Sequence, residues 1–171
     1  MLNPKTNERE LAYVVIIDNV TPIEGYDRVE LAHVGGWTIV VGKGEFKAGD
    51  PAIYFEIDSK LPEVKPFTDM EFLAKKKYRI KTQKMCKSLS QGLLISAANL
   101  NWTIEKHNYG YSIHDSNGVE HNAGNNSRFL TKDLGITYYI AEDNIRKAPS
   151  VDKYKKMAQR HGKLFAKQPF R

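Results

Sequence analysis

Between Lys75 and Lys87 the chain carries seven bases (Lys75, Lys76, Lys77, Arg79, Lys81, Lys84 and Lys87) and no acid. Cations at this density suit a polyanion. Within the run, Tyr78, Ile80 and Thr82 alternate with Arg79, Lys81 and Gln83, the two-residue period of a strand with a basic outer row. Outward Arg79, Lys81, Lys84 and Lys87, with Tyr78 beside them as a stacking aromatic, can follow a phosphate backbone and hold a base. Contacts of this kind give salt-dependent affinity and little sequence information. A solvated strand face carries the same residues, so the pattern nominates a surface and does not prove one.

Other chemistry is thinly represented. Gly42-Lys43-Gly44 invites a phosphate loop but lacks the Gly-Lys-Ser/Thr ending and the following helix that make backbone N–H groups converge on a phosphate. Lys43 remains a point charge able to touch a backbone phosphate. His107, His114 and His121 recur every seven residues, yet Gly110, Asn117 and Gly118 argue against a helix that would bring them to one face. No carboxylate or cysteine spacing supports a metal site. Sequence position does not reveal a triad, and none of the five histidines has a local partner pattern. No catalytic residue and no metal ligand is nominated.

The elements that must position the basic row are mostly strands. Val29 to Val34 and Trp37 to Val41 flank Gly35-Gly36, which predicts a hairpin with a primed turn, since such turns match strand twist and need φ > 0 at both central residues. Val34, Trp37, Ala32 and Ile39 then share one face, favoured as core, and Leu31, Val40, His33 and Thr38 the other. Pro51 to Ile57 is a further strand, with Pro51 at its first position, where no ladder N–H is lost. Leu11 to Asp18, apolar throughout, suits a strand buried on both faces or sharply bent. Asn19 to Asp27 reads as a turn region. Thr68 to Lys76 reads as a short helix with Thr68 as N-cap and charges ordered to suit its dipole. Tyr78 to Met85 and Gln91 to Ile95 complete the strands. Asn99 to Ser127 reads as a loop-rich, partly mobile insertion with a small hairpin around Asn117-Gly118. Phe129 to Ile140 returns to order through a short helix ending at Gly135. A basic amphipathic helix follows Ser150.

Size and charge bound the rest. At 171 residues and 41% hydrophobic, one domain with an appendage can bury a core unaided. Cys86 is the single cysteine, which excludes a disulfide within the chain. The polar N-terminal residues and the short apolar runs predict a soluble, cytoplasmic protein that does not enter the membrane. The net charge of +6 is unevenly held: residues 145–171 contain nine of the 26 Lys/Arg and one of the 20 Asp/Glu. The remainder is close to neutral, so a global electrostatic argument for it fails.

Several stretches are more specific than their outline. Arg28 to Trp37, Val40 to Phe46, Gly49-Asp50, Arg79 to Thr82 and Ser90 to Leu93 resemble the N-terminal OB domain of ATP-dependent RNA ligases, in the branch where that module precedes the nucleotidyltransferase domain. More distantly they resemble tRNA-binding OB domains. Leu134-Gly135-Ile136-Thr137 resembles the junction that ends the module. The resemblance implies a mainly β fold, a five-stranded OB-fold Greek-key barrel with a short helix. It implies an accessory role in RNA repair: holding RNA, single-stranded or nicked duplex, for a nucleotidyltransferase domain of the same polypeptide. That family's adenylated lysine lies in Lys-x-Asp-Gly. No such tetrapeptide occurs here, and Lys47-Ala48-Gly49-Asp50 only scrambles it. ATP and Mg are therefore implied for a parent ligase and no cofactor for this chain. The expected organisation is a barrel over 1–98, an insertion and return segment over 99–140, and a basic helical linker over 141–171 toward a catalytic domain. The candidate RNA contacts are Lys43, Tyr78, Arg79, Lys81, Lys84 and Lys87. A module that docks on the ligase core or another protein, or one that binds tRNA, are the alternatives.

Overall fold

The computed structural model describes residues 1–108, 110–122 and 128–139. The helix expected after Ser150 and the linker expected over 141–171 lie outside the described residues. The chain runs through β1 (Ala12–Ile16), β2 (Asn19–Ile23), β3 (Tyr26–Val34), β4 (Trp37–Gly42), β5 (Pro51–Phe55) and β6 (Ser59–Lys60). A 3-10 turn, Phe67–Asp69, and one short helix, α1 (Glu71–Lys75), come next. Then follow β7 (Thr82–Met85), β8 (Ser88–Gln91), β9 (Leu93–Ser96), β10 (Thr103–His107), β11 (Gly110–His114), β12 (Glu120–His121) and β13 (Thr137–Tyr138). The fold is mainly β, as expected.

The hairpin forms in the anticipated register: Val34 faces Trp37, Ala32 faces Ile39 and Leu31 faces Val40. Gly35 and Gly36 take φ of 50° and 88°, the primed turn that glycine adopts without strain. Ala32, Val34 and Ile39 are buried and Trp37 packs against them, so the Trp37 face is the core face. The expected turn over Asn19 to Asp27 is instead mostly strand. β2 pairs with β3, and the register shifts between Pro22 and Ile23. Pro22 is tolerated because β2 is an edge strand of the order β2-β3-β4, where a missing N–H breaks no ladder.

The first strand is buried on both faces, and the reason is a change of partner at its end. β1 belongs to the sheet β1-β5-β9. Ile17 N–H then donates to Asp50 O at 2.9 Å, while Asp18 N–H donates to His33 O at 3.0 Å, so adjacent residues belong to different sheets. Tyr13, Val15 and Ile17 fill a core with Ala32, Ile39 and Tyr54. Leu11, Ala12 and Val14 fill a second core with Phe55, Leu61, Leu73 and Ile113 on the other side. A strand between two cores reads as one apolar run.

The sheets remain open along one edge. β8 lies against β4 without a backbone ladder among the described residues; side chains cap the exposed amides instead. Thr38 N–H donates to Gln91 Oε1 at 3.1 Å, Val40 N–H to Ser90 Oγ at 3.1 Å, and Thr38 Oγ1 to Leu89 O at 2.7 Å. Buried edge groups must be paired, and short polar side chains do this where the strands diverge too far for a ladder.

Two further expectations change. The helix is shorter than Thr68 to Lys76 and Thr68 does not cap it; Met70 holds the N-cap position with no side-chain bond, although Glu71 and Lys75 keep the expected order along the dipole. The insertion carries a small sheet, β10-β11-β12, with the hairpin around Asn117-Gly118 joining its last two strands. Apolar residues are sparse there because one face alone is covered, chiefly through the fully buried Ile113. The return segment runs beside β1: Leu130 N–H donates to Ala12 O at 2.9 Å, and Thr131 Oγ1 accepts from Leu11 N–H at 3.0 Å. A turn rather than a helix follows, ending at Gly135 with φ 68°.

A buried acid ties strands together. Glu56 accepts from Tyr13 Oη at 2.6 Å and from Arg9 Nε at 3.2 Å. Burial first, and the Glu56 carboxylate second, hold the phenols of Tyr13 and Tyr54 above their usual range. The linked stability has a definite sign. Unfolded phenols ionise near about pH 10; the folded ones keep their protons beyond it, so these tyrosines cost no stability below that pH and progressively more above it. Ultraviolet titration should therefore find at least two of the nine tyrosines silent until the chain unfolds. Urea midpoints should fall between roughly pH 9.5 and 11, around the ordinary phenol value. Ionisation of all nine at the ordinary pH in the folded chain would refute this.

Candidate nucleic-acid interface

Two of the nominated bases, Arg79 and Lys81, line one groove; Lys43, Lys84 and Lys87 do not. A hollow of about 290 Å³ lies between β4, α1 and the strand entering β7; its walls include Val40, Phe72, Lys76, Arg79, Lys81 and Met85. Leu73 points into the core and is fully buried, whereas its neighbour Phe72 stays 43% exposed. Lys76 follows Phe72 by four residues and so shares its helix face. Its Nζ donates to Gln83 Oε1 at 2.8 Å, which spans from the helix to β7, and burial lowers the pKa of this amine.

The chain leaves the helix through Lys77 and Tyr78, with φ of 56° and 61°. This pair of left-handed residues reverses the backbone and turns Tyr78 inward. Tyr78 is 8% exposed, packs in the core with Leu61 and Leu73, and cannot offer its ring to a base. The expected stacking role of Tyr78 is thus corrected: the alternation that turns Arg79 and Lys81 outward sends Tyr78 and Ile80 in.

Arg79 is half-buried and already engaged. Its guanidinium carbon sits 4.7 Å from the centre of the Tyr139 ring, and Nη1 donates to the Tyr139 hydroxyl. Tyr139 N–H in turn donates to Asp58 O at 2.7 Å. Arg79 therefore pins the return segment, while its buried Nε has no hydrogen-bond partner.

The remaining bases are exposed but do not form one row. Arg79 forms an isolated antiparallel bridge with Lys60, and the continuous strand begins only at Thr82, so the anticipated strand Tyr78 to Met85 is half formed. Lys81 lines the groove; Lys84 faces Leu89 across the β7–β8 hairpin, one alternation out of step. Lys87 stands at the hairpin tip, where Cys86 and Lys87 take φ of 52° and 61° in a primed turn built without glycine. Lys43 is exposed in the turn after β4. Glu45, whose Oε2 accepts from Gly42 N–H at 3.0 Å, is the acid on the groove wall. Phe72 is the residue that reasoning from sequence missed. The available signal was that Phe72 and Leu73 are adjacent on one short helix, so that only one of them can face the core.

Two larger hollows, of about 530 and 440 Å³, are lined by N-terminal, insertion and return-segment residues, the second also by β1, and both carry mixed charge. Lys5 and Lys132 accompany Glu8, Glu10 and Asp133 in the first; Lys106 and Arg128 accompany Asp18 and Glu56 in the second. Neither concentrates one sign as the basic hairpin does. Of the three spaced histidines, His121 lies between Asp133 (2.7 Å) and Asp115 (3.0 Å) and stacks on Trp102. No group of three side chains able to hold a metal occurs among the described residues. No helix among them is long and apolar enough to cross a membrane.

Comparison with known proteins supports the same architecture. A family profile for an OB-fold domain matches residues 11–97. No curated protein matches the sequence. Solved structures of Naegleria gruberi RNA ligase are similar. A variant with AMP and Mn shares 32% identity at a TM-score of 0.55, over 77% of this chain and 35% of that one. A variant with ATP and Mn shares 31% identity at 0.57, over 77% and 36%. The ligase with pyrophosphate shares 30% at 0.57, over 78% and 36%. This chain thus spans about a third of the length of those ligase chains. With the profile covering half its residues, and with strands and helix placed as described, the chain belongs to the OB-fold domain family and is similar to the corresponding part of an RNA ligase.

Proposed function

We propose that the chain is an accessory RNA-binding module of an ATP-dependent RNA ligase, holding RNA strands near a break for a nucleotidyltransferase domain of the same polypeptide. The observation that carries this is the exposed lysine set Lys81, Lys84 and Lys87 on a hairpin beside a groove, in a domain similar to part of an RNA ligase. OB-folds bind oligonucleotides on the face of their second and third strands, between flanking loops. β3 and β4 are that hairpin here, and the long connection from β5 to β8 supplies the basic wall. The same reading takes the open sheets as a five-stranded Greek-key barrel whose last edge is sealed by side chains. Adenylation and sealing, with their ATP and Mg, belong to the other domain, since this sequence lacks Lys-x-Asp-Gly.

The test is titration of the whole chain with single-stranded and nicked duplex RNA at two salt concentrations. Binding at low salt that weakens steeply as salt rises is expected. No binding at low salt, or affinity indifferent to salt, would end the proposal. A second reading, docking on the ligase core, draws on the exposed Val64 and Leu89 and on the near-neutral composition before residue 145. It requires that the chain ignore RNA yet bind the catalytic domain added in trans.

A further inference from the structure

We infer that the groove between β4 and α1 is a base-stacking cleft selective for unpaired RNA, with Phe72 as its platform; this rests on the RNA-binding reading above. Two of the exposed large apolar side chains among the described residues, Phe72 and Met85, line this one hollow. Among the described residues the other exposed aromatic, Tyr138, lies under the Arg9 guanidinium at 6.0 Å, whereas the Phe72 ring lines the hollow. Leu73 already fills the core position of α1, so Phe72 is placed outward by the helix itself.

Charge names the occupant. Lys76 stands one turn beyond Phe72, and Lys81 lines the same hollow. An apolar ring in a hollow shared with cations matches a chain that alternates flat apolar faces with phosphates. A protein segment that matched it would need regularly spaced acids. Paired bases are stacked on one another and show a cleft only their phosphates, whereas an unpaired base presents a free π-face. Stacking of this kind tolerates any base, so the cleft selects strandedness and not sequence.

The experiment uses the whole chain with a short single-stranded RNA and the blunt duplex of the same sequence, at two salt concentrations. Phe72→Ala should weaken single-strand binding about tenfold, leave its salt dependence unchanged and leave duplex binding as it was. Phe72→Trp should restore affinity, and its fluorescence should be quenched by the single strand and not by the duplex. Because Phe72 is exposed, both variants should melt with the parent. If the parent binds neither RNA at low salt, the RNA-binding reading itself fails. If the parent binds and Phe72→Ala weakens both RNAs alike or neither, the cleft inference alone fails. A mass change on sedimentation of Phe72→Ala would show the groove covered by a second copy and would also overturn it.

Discussion

Gly92→Ala should lower the unfolding free energy by about 4 kcal/mol, combining backbone strain and overpacking at one position. Gly92 joins β8 to β9, where the chain passes from the capped seam into the ladder with β5. Its φ is 120°, and a Cβ there would lie 2.5 Å from Tyr54 Cε1 and 2.7 Å from Phe55 O. Neither can retreat. Tyr54 is 1% exposed, with its hydroxyl bonded to Gln91 O, and Phe55 O is backbone within a paired strand. Gly118→Ala is the control. Its φ is 80° and nothing lies within 4 Å of the added carbon, so it should cost only the conformational part, about 1 kcal/mol. Urea midpoints for both variants measure the difference. Equal midpoints would mean that the approach to Tyr54 is not tight.

The second large effect is on binding. Replacing Lys81, Lys84 and Lys87 together with glutamate should weaken single-stranded RNA about a hundredfold at 50 mM salt, and flatten the dependence of log K on log salt by about 2. All three are exposed, and their removal should leave stability within about 0.5 kcal/mol of the parent. Every RNA sequence should lose affinity alike, because phosphate contacts carry no base information. Arg79 is left out of this set on purpose. It holds Tyr139, so its loss would mix a loosened return segment with a lost charge. A triple variant that binds as the parent does would remove the hairpin from the interface and leave docking on the ligase core as the better account.

Placement of the nominated residues shows how far local reasoning reached. Lys43, Lys81, Lys84 and Lys87 are exposed where alternation or a turn put them, since charged side chains leave the interior whichever register forms. Tyr78, expected to be outward, is buried, and Phe72, which received no role, is exposed. Both are aromatic and six residues apart, and nothing in composition says which one a core will accept. The answer depends on the left-handed pair Lys77 and Tyr78, which no glycine announces. Cys86 and Lys87 conceal the hairpin turn in the same way.

What the sequence determined by itself is the short-range part: the Gly35-Gly36 hairpin with its register, the apolar strand at the start, and the stretch rich in lysine. These follow from side-chain period and turn sterics, which act within a few residues. The tertiary structure alone decided that β4 meets β8 through Thr38, Ser90 and Gln91 rather than through a ladder, that Arg79 belongs to Tyr139, and that Phe72 is left facing the groove. Each of these joins residues brought together by the closing of the fold. Their partners are chosen by which surfaces remain uncovered once the two cores are filled, and that is a property of the whole chain rather than of any window along it.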